Sequence, residues 1–382
     1  MHKKIKNLEK AAERIKKAVQ NNERIILYGD SDLDGISSVV ILEEAIKSLG
    51  GKADSVFFPD REIDGYGINL NALDLLKDKA PALFITLDLG IGNVKEAEVA
   101  KKMGFEIIIV DHHETLDGIP DVSIIVDPKH KDDSYPFKGL ANVGITFKLC
   151  EEILGSKISK SLRNSFLELA ALGTLADMVP VIDENKIIIE EGLRSLKNTF
   201  RPAFQAFFAL LGKGFIFDNG LQKVISALNA AETINYKNDS YFLLTSFSEE
   251  KCKSLAQDLL NKTQEKQHKI KNIVQEVERR ILKKQEDNII FEGDPSWKLT
   301  LAGAVASIIS QKYEKPAFIF KKMDEESCGS VRNPKKTNSV DAMKTCADFL
   351  LTYGGHAQAS GFRIKNEHLE KFKQCLSDYF KK

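Results

Sequence analysis

The chain has 382 residues, 43% of them hydrophobic and 29% charged, with Lys+Arg and Asp+Glu both numbering 55. That length is enough for two domains and too much for one core, and the polarity is that of an ordinary globular protein. Zero net charge excludes a global field that attracts nucleic acid, so any such binding needs a locally basic groove.

The N-terminal stretch MHKKIKNLEKAAERIKKAVQ is charged and lacks the apolar centre of a signal peptide, while Ile5, Leu8, Ala12, Ile15 and Val19 mark one face of a helix. Short β-rich runs then alternate with helical patterns: RIILYG (24–29), DSVFF (54–58), ALFITLD (82–88), FEIIIVD (105–111) and VSIIVD (122–127), with amphipathic stretches at 36–49 and 92–103. This alternation predicts a parallel sheet with flanking helices, which binds ligands at the carboxyl ends of its strands. From about 140 to 245 the pattern is mostly helical. Residues 248–285 contain no Gly or Pro and are dense in charge, predicting one long exposed helix that acts as a spacer. A second, smaller α/β pattern follows from 286, so the expected division is 1–245, a connecting helix 246–285, and 286–382. No apolar run approaches membrane-spanning length. The five cysteines form no CxxC pair, and their odd number argues against a complete disulfide framework; a reduced, cytoplasmic chain is the expectation.

The chemistry concentrates at strand ends. GDSDLDGISS places Asp30, Asp32 and Asp34 at alternate positions before Gly35, as an EF-hand loop begins, but the twelfth position from Asp30 is Ile41 rather than the Glu that completes a calcium cage. Gly35 reads instead as a turn into a helix starting near Ile36. Three β-rich runs end at or beside an acid, Asp30, Asp88 and Asp111; His112 and His113 follow the last, and GTLADMVP adds Asp177 in a helical context. A lone Asp at a strand end is ordinarily a cap or turn residue, but three on one edge converge on a site. Carboxylates mixed with imidazole suit Mn²⁺ or Mg²⁺ better than calcium, and the absence of nearby cysteine disfavours zinc. So many acids exceed the needs of one ion and suit two, about 3.5–4 Å apart, which makes phosphoester hydrolysis the natural reaction. The residue types leave the substrate open.

GDSDLDGISS, LDLGIG, VDHHE and GTLADMVP occur in the order of the DHH phosphoesterase superfamily, which the chain resembles over nearly its whole length. The segments at 126–149, 297–320 and 353–362 are similar to its RecJ single-stranded-DNA exonuclease branch, the last two belonging to the DHH-associated C-terminal domain. The resemblance implies an active site in the cleft between the two domains. It implies that Asp32, with Asp30 near it, serves a first metal and Asp34 a second, that Asp88 bridges both, and that His112 and Asp177 complete the second site. Asp111 would orient an imidazole from behind the ligands, and His113 would face the scissile phosphate. Arg332, Gly354, Gly355 and His356 would contact substrate, as would Asn229. Where small-substrate branches carry a metal-binding His, this chain has Tyr28, which favours the RecJ arrangement.

Two departures qualify it. ALNAAETI (227–234) has Leu228 and Glu232 where that branch carries arginine and glycine, and the oligonucleotide-binding barrel of larger relatives is not expected. The implied function is a Mn²⁺- or Mg²⁺-dependent 5′-to-3′ exonuclease acting on single-stranded DNA or RNA, with replication or repair proteins as partners and no membrane. The alternative keeps the chemistry on smaller substrates: a nanoRNase, a cyclic-dinucleotide phosphodiesterase or a nucleotide phosphatase. An inactive replication scaffold is a third reading, opposed by the filled metal positions.

Overall fold

Five runs of branched and aromatic residues in the first half become the strands of one parallel sheet. In the computed structural model, which describes residues 4–114, 118–283, 287–334 and 337–381 without the side chains of Asp218, Asn219 and His356, these are β1 (Ile25–Gly29), β2 (Ser55–Phe57), β3 (Ala82–Leu87), β4 (Phe105–Val110) and β5 (Ile124–Val126). Their order is β2-β1-β3-β4-β5, with every pairing parallel. Helices α1 (Leu8–Gln20), α2 (Leu33–Ser48), α3 (Leu70–Leu76), α4 (Val94–Lys102), α5 (Asn142–Leu154), α6 (Lys160–Ala176) and α7 (Asp183–Leu196) accompany it.

Alternate strand residues serve opposite faces, as the period of two requires. Ile25, Leu27, Leu83, Ile85, Ile108 and Val110 join a core with Ile15 of α1, Val40 of α2, Ile145 of α5 and Phe166 of α6. Ile26, Tyr28, Phe84, Ile107 and Ile109 pack on Leu73 and Leu76 of α3 and on Ala97 and Ala100 of α4. With both faces covered, the central strands β1, β3 and β4 have almost no solvent side, which is why their sequences are continuous apolar runs. The strand carboxyl ends remain as the edge where polar groups can gather.

The chain divides into two units, Met1–Thr263 and Gln264–Lys382, and the division falls inside the helix Glu249–Ile281. That helix is one continuous, mostly exposed or half-buried element, with a few buried positions toward each end. Cys252, Ala256 and Leu259 are buried in the first unit's core, and Val277 packs with Trp297, Val305 and Ile309 in the second. A narrow apolar stripe is easily hidden by charge on the other faces, and the stripe alone decides burial.

The second unit holds a mixed sheet. A parallel pair, Ile290–Asp294 and Ala317–Lys322, is connected through the helix Leu299–Tyr313 and continues antiparallel through Glu326–Arg332, Ala359–Lys365 and Leu350–His356. Phe291, Phe318, Phe320, Phe362 and Phe372 form an aromatic core on one face. Cys346 and Cys375 form a disulfide across 29 residues, with Cα atoms 6.1 Å apart. This corrects the expectation of a fully reduced chain, and the cysteines no longer argue for a reducing compartment. The pairing depends on the end of the helix Ser339–Thr345 meeting the middle of the helix Leu369–Tyr379, which sequence spacing does not reveal. Cys150, Cys252 and Cys328 are free. Among the described residues no helix is long and apolar enough to cross a membrane.

The loop after β1 also differs from expectation. Helix α2 begins at Leu33, not near Ile36, and Asp32 caps it by accepting from the Asp34 and Gly35 N–H groups. Gly35 thus lies in the first helical turn, and its requirement is steric rather than conformational. A Cβ there would stand 2.5 Å from the Asp30 carbonyl oxygen and 2.8 Å from its nitrogen. Gly35→Ala is expected to destabilise the protein by about 1–3 kcal/mol, the usual cost of overpacking, read as a lower urea midpoint; an unchanged midpoint would show that the loop can retreat at no cost.

Candidate metal centre

Strand geometry places the acids. The Asp30 N–H donates to Leu87 O at 3.1 Å, that of Asp88 to Val110 O at 3.0 Å, and that of Asp111 to Val126 O at 3.1 Å. Each acid therefore extends its strand's ladder by one bond onto the next strand, so β1, β3 and β4 present their carboxylates in a row at one edge. Asp88 adopts a left-handed backbone (φ 67°), which a non-glycine residue rarely takes and which recurs at functional sites.

Two further acids arrive from helices. Asp34, in the first turn of α2, accepts from the Asn142 N–H at 2.8 Å and the Val143 N–H at 2.7 Å, so the positive end of α5 fixes both its oxygens. Asp177 follows the last residue of α6. Liganding atoms of Asp30, Asp32 and Asp88 lie within 4.8 Å of one another, as do those of Asp34, His112 and Asp177 and those of Asp88, His112 and His113. Asp88 and His112 are each shared by two groups, so the clusters form one continuous centre. Every metal-ligating position expected from the sequence is brought together here.

The donor set fits a divalent cation. His112 Nδ1 lies 3.1 Å from Leu140 O, and a carbonyl partner requires Nδ1 to be the donor. In the neutral ring the Nε2 lone pair then points into the carboxylates, 3.2 Å from Asp88 Oδ1 and 3.7 Å from Asp177 Oδ2. Among the described residues those two carboxylate oxygens are buried with no hydrogen-bond partner. Burial, then the nearby carboxylates, drives Asp34 and Asp88 well above the ordinary Asp range, and Asp177 to about 6. Carboxylates crowded until they resist ionising are what a cation relieves.

Asp111 is different. Its Oδ2 accepts from the Ile91 N–H at 3.0 Å; its Oδ1 accepts from the His112 N–H at 2.7 Å and bonds His113 Nδ1 at 2.8 Å. Burial works to raise Asp111, but the His113 charge and hydrogen bond outweigh it and bring it down to about 2. Desolvation works to lower His113, and Asp111 outweighs that in turn, raising it to about 9. The imidazole that Asp111 orients is thus that of His113, whose side chain remains 41% exposed.

The substrate residues expected from the sequence are more scattered. Asn229 Oδ1 accepts from the Leu33 N–H at 2.8 Å, which makes it a buttress of the acid loop. Tyr28 is fully buried, its hydroxyl accepting from Asn69 Nδ2 at 3.0 Å, and takes no place among the ligands. In the second unit, Arg332 and His356 both register with Ala359, so the three share one row of the sheet. Arg332 Nη1 donates to Val331 O at 2.9 Å, and the guanidinium lies over Gly303, where a Cβ would come within 3.1 Å of it. The His356 side chain lies outside the described residues. Gly354 registers with Gly361, and Gly355 (φ 122°) has a Cβ position 2.6 Å from Ala359 O, so its strand partner alone demands glycine.

Two site residues escaped the sequence reading. Asp127 ends β5 as its counterparts end their strands, and is buried, with burial and then Asp111 raising it to about 7; the run IIVD carries the same signal as the other three. Arg61, from the turn after β2, donates to both Asp30 and Asp32, and nothing in its local sequence distinguishes it from a surface arginine.

Residues 24–174 match the model of the DHH family N-terminal domain, and residues 286–382 that of the DHHA1 domain. The single-stranded-DNA-specific exonuclease RecJ of Bacillus subtilis is 34% identical over 98% of this chain, which spans 48% of that protein. A crystal structure of exonuclease RecJ bound to manganese is similar with a TM-score of 0.79 and 25% identity, covering 99% of this chain and 95% of that one. RecJ from Thermus thermophilus, in complex with Mn²⁺, shares the fold at a TM-score of 0.82 and 24% identity, over 99% of this chain and 55% of its own. With the acid and histidine pattern housed in the matching fold, the chain carries a DHH family N-terminal domain followed by a DHHA1 domain.

Proposed function

We propose that this protein is a metal-dependent phosphodiesterase of the RecJ type that removes nucleotides from the 5′ end of single-stranded nucleic acid. The observation that carries the reading is the continuous centre in which Asp88 and His112 join the Asp30–Asp32 pair to the Asp34–Asp177 pair. The manganese-bound RecJ structure, similar over nearly the full length of both chains, supports it. The buried, non-liganding Tyr28 favours this arrangement over the small-substrate alternative.

In this reading Asp30, Asp32 and Asp88 hold one Mn²⁺ or Mg²⁺, and Asp34, Asp88, His112 and Asp177 a second. Such a pair supplies Lewis acidity and an activated water at neutral pH. The chain's own contributions are positional. The N–H groups of α5 hold Asp34 against rotation, and the Leu140 carbonyl fixes the His112 tautomer. His113, kept cationic by Asp111 behind it, offers an N–H to a non-bridging phosphate oxygen or a proton to the leaving oxygen.

Asp88→Ala is expected to lower mononucleotide release from a 5′-labelled single strand by about 10²–10³-fold or more with either Mn²⁺ or Mg²⁺. Retention of near-normal turnover with any metal would remove Asp88 from the bridging position. A panel of DNA and RNA strands of graded length separates the exonuclease reading from the small-substrate one, since turnover confined to dinucleotides contradicts the former. The His113–Asp111 pair makes a metal-free prediction. The raised pKa of His113 means that its stabilising contribution is complete below the ordinary value near 6.5 and is lost as pH rises through about 9. In EDTA, His113→Gln is expected to lower the urea midpoint at about pH 6 and to leave it unchanged at about pH 10. An equal penalty at both would show that the contact is not ionic.

A further inference from the structure

Arg61 sits on a locked turn: the Asp64 N–H donates to Asp60 O at 2.7 Å, the Asp60 N–H to Asp64 Oδ2 at 2.9 Å, and the Glu62 N–H to Asp60 Oδ1 at 2.9 Å. Its guanidinium carbon lies 4.8 Å from the centre of the Tyr66 ring. From there Nε donates to Asp30 Oδ1 at 3.1 Å, while Nη2 donates to Asp30 Oδ2 at 2.6 Å and to Asp32 Oδ2 at 2.9 Å.

The remaining contacts of those carboxylates decide what this means. Asp30 Oδ1 also accepts from the Ser31 N–H at 2.7 Å, and Asp32 Oδ1 accepts from the Asp34 and Gly35 N–H groups at 3.1 Å each. Backbone N–H groups thus occupy an Oδ1 atom on each acid, and the two Oδ2 atoms meet at a common point. Arg61 Nη2 stands at that point. A Mg²⁺ ion bound by both Oδ2 atoms at that point would need to lie about 2.0–2.1 Å from each, closer than Nη2 at 2.6 and 2.9 Å, so the two could not share it, and two cations repel at that separation.

We propose that Arg61 is the resident counter-charge of the Asp30–Asp32 pair in the metal-free protein, and that a divalent cation enters this half of the centre only by displacing it. The inference rests on Asp30 and Asp32 being metal ligands. It makes Arg61 a positioning residue that keeps two like charges organised before metal arrives and sets the affinity of the ion that replaces it. The sign of its effect is diagnostic. A group that merely orients ligands weakens metal binding when removed, whereas a competing cation strengthens it.

Mn²⁺ should be titrated calorimetrically into EDTA-stripped wild-type protein, Arg61→Gln and Arg61→Lys, with Asp30→Asn as the control for the ligand assignment. The weakest Mn²⁺ step is expected to tighten in Arg61→Gln by roughly 5–150-fold, the usual span of coupling between two binding events, with Arg61→Lys between it and wild type. The metal-free melting temperature is expected to fall in Arg61→Gln, with Mn²⁺ restoring it. Unchanged or weaker binding in a folded Arg61→Gln overturns the proposal. If wild type binds Mn²⁺ and Asp30→Asn loses no step, the ligand assignment fails and takes the proposal with it. Should Arg61→Gln not fold, ¹⁵N-arginine labelling of wild type decides: the Nε–H resonance that Arg61→Lys removes must shift on saturation with Mg²⁺, and a resonance that stays in place overturns displacement.

Discussion

The structure depends on one electrostatic constraint: carboxylates held close together at the covered carboxyl edge of a parallel sheet. Four acids, Asp30, Asp34, Asp88 and Asp111, are buried within one centre, where burial and mutual repulsion both oppose ionisation. The fold answers with fixed partial and full positive charges. The first turn of α5 serves Asp34, a set of backbone N–H groups and the His113 imidazole serve Asp111, and Arg61 serves Asp30 and Asp32. Asp88 is the exception, with burial and four neighbouring carboxylates raising its pKa and one buried oxygen lacking a hydrogen-bond partner. Its position between the two halves of the centre is where additional positive charge relieves the most repulsion.

The surrounding architecture can be understood as the means of holding that arrangement. Covering both faces of the sheet makes its strands rigid and leaves the carboxyl edge as the outlet for polar chemistry. The ladder bonds that run one residue past β1, β3 and β4 fix the spacing of three acids through backbone alone. Gly35 lets α2 begin against the Asp30 backbone, and Asn229 ties Leu33 from a distant segment. Placement by backbone and helix ends leaves little freedom for side-chain rearrangement, which is what a preorganised catalytic centre requires.

The sheet and the clustering of its strand-end acids and histidines were legible in the sequence because both follow local rules. Apolar runs buried on both faces show as β-rich segments, and an acid at or beside the end of each run shows as a row of carboxylates. The features that were not legible are long-range. The Cys346–Cys375 pairing, the burial of Cys252, Ala256, Leu259 and Val277 on the helix Glu249–Ile281, and the buttressing by Asn229 all join residues whose proximity exists only after folding. Arg61 is hidden for the same reason, since its partners lie 31 and 29 residues earlier. Asp127 was legible but unread: IIVD repeats the pattern of its neighbours.

The central claim is that Asp88 and His112 join two cation sites into one centre. Crystals grown with Mn²⁺ and measured at the manganese absorption edge test it directly. Two anomalous peaks about 3.5–4 Å apart, with an Asp88 oxygen between them and His112 Nε2 against one, are expected. A single peak, or peaks that leave Asp88 uncoordinated, would contradict a two-ion centre.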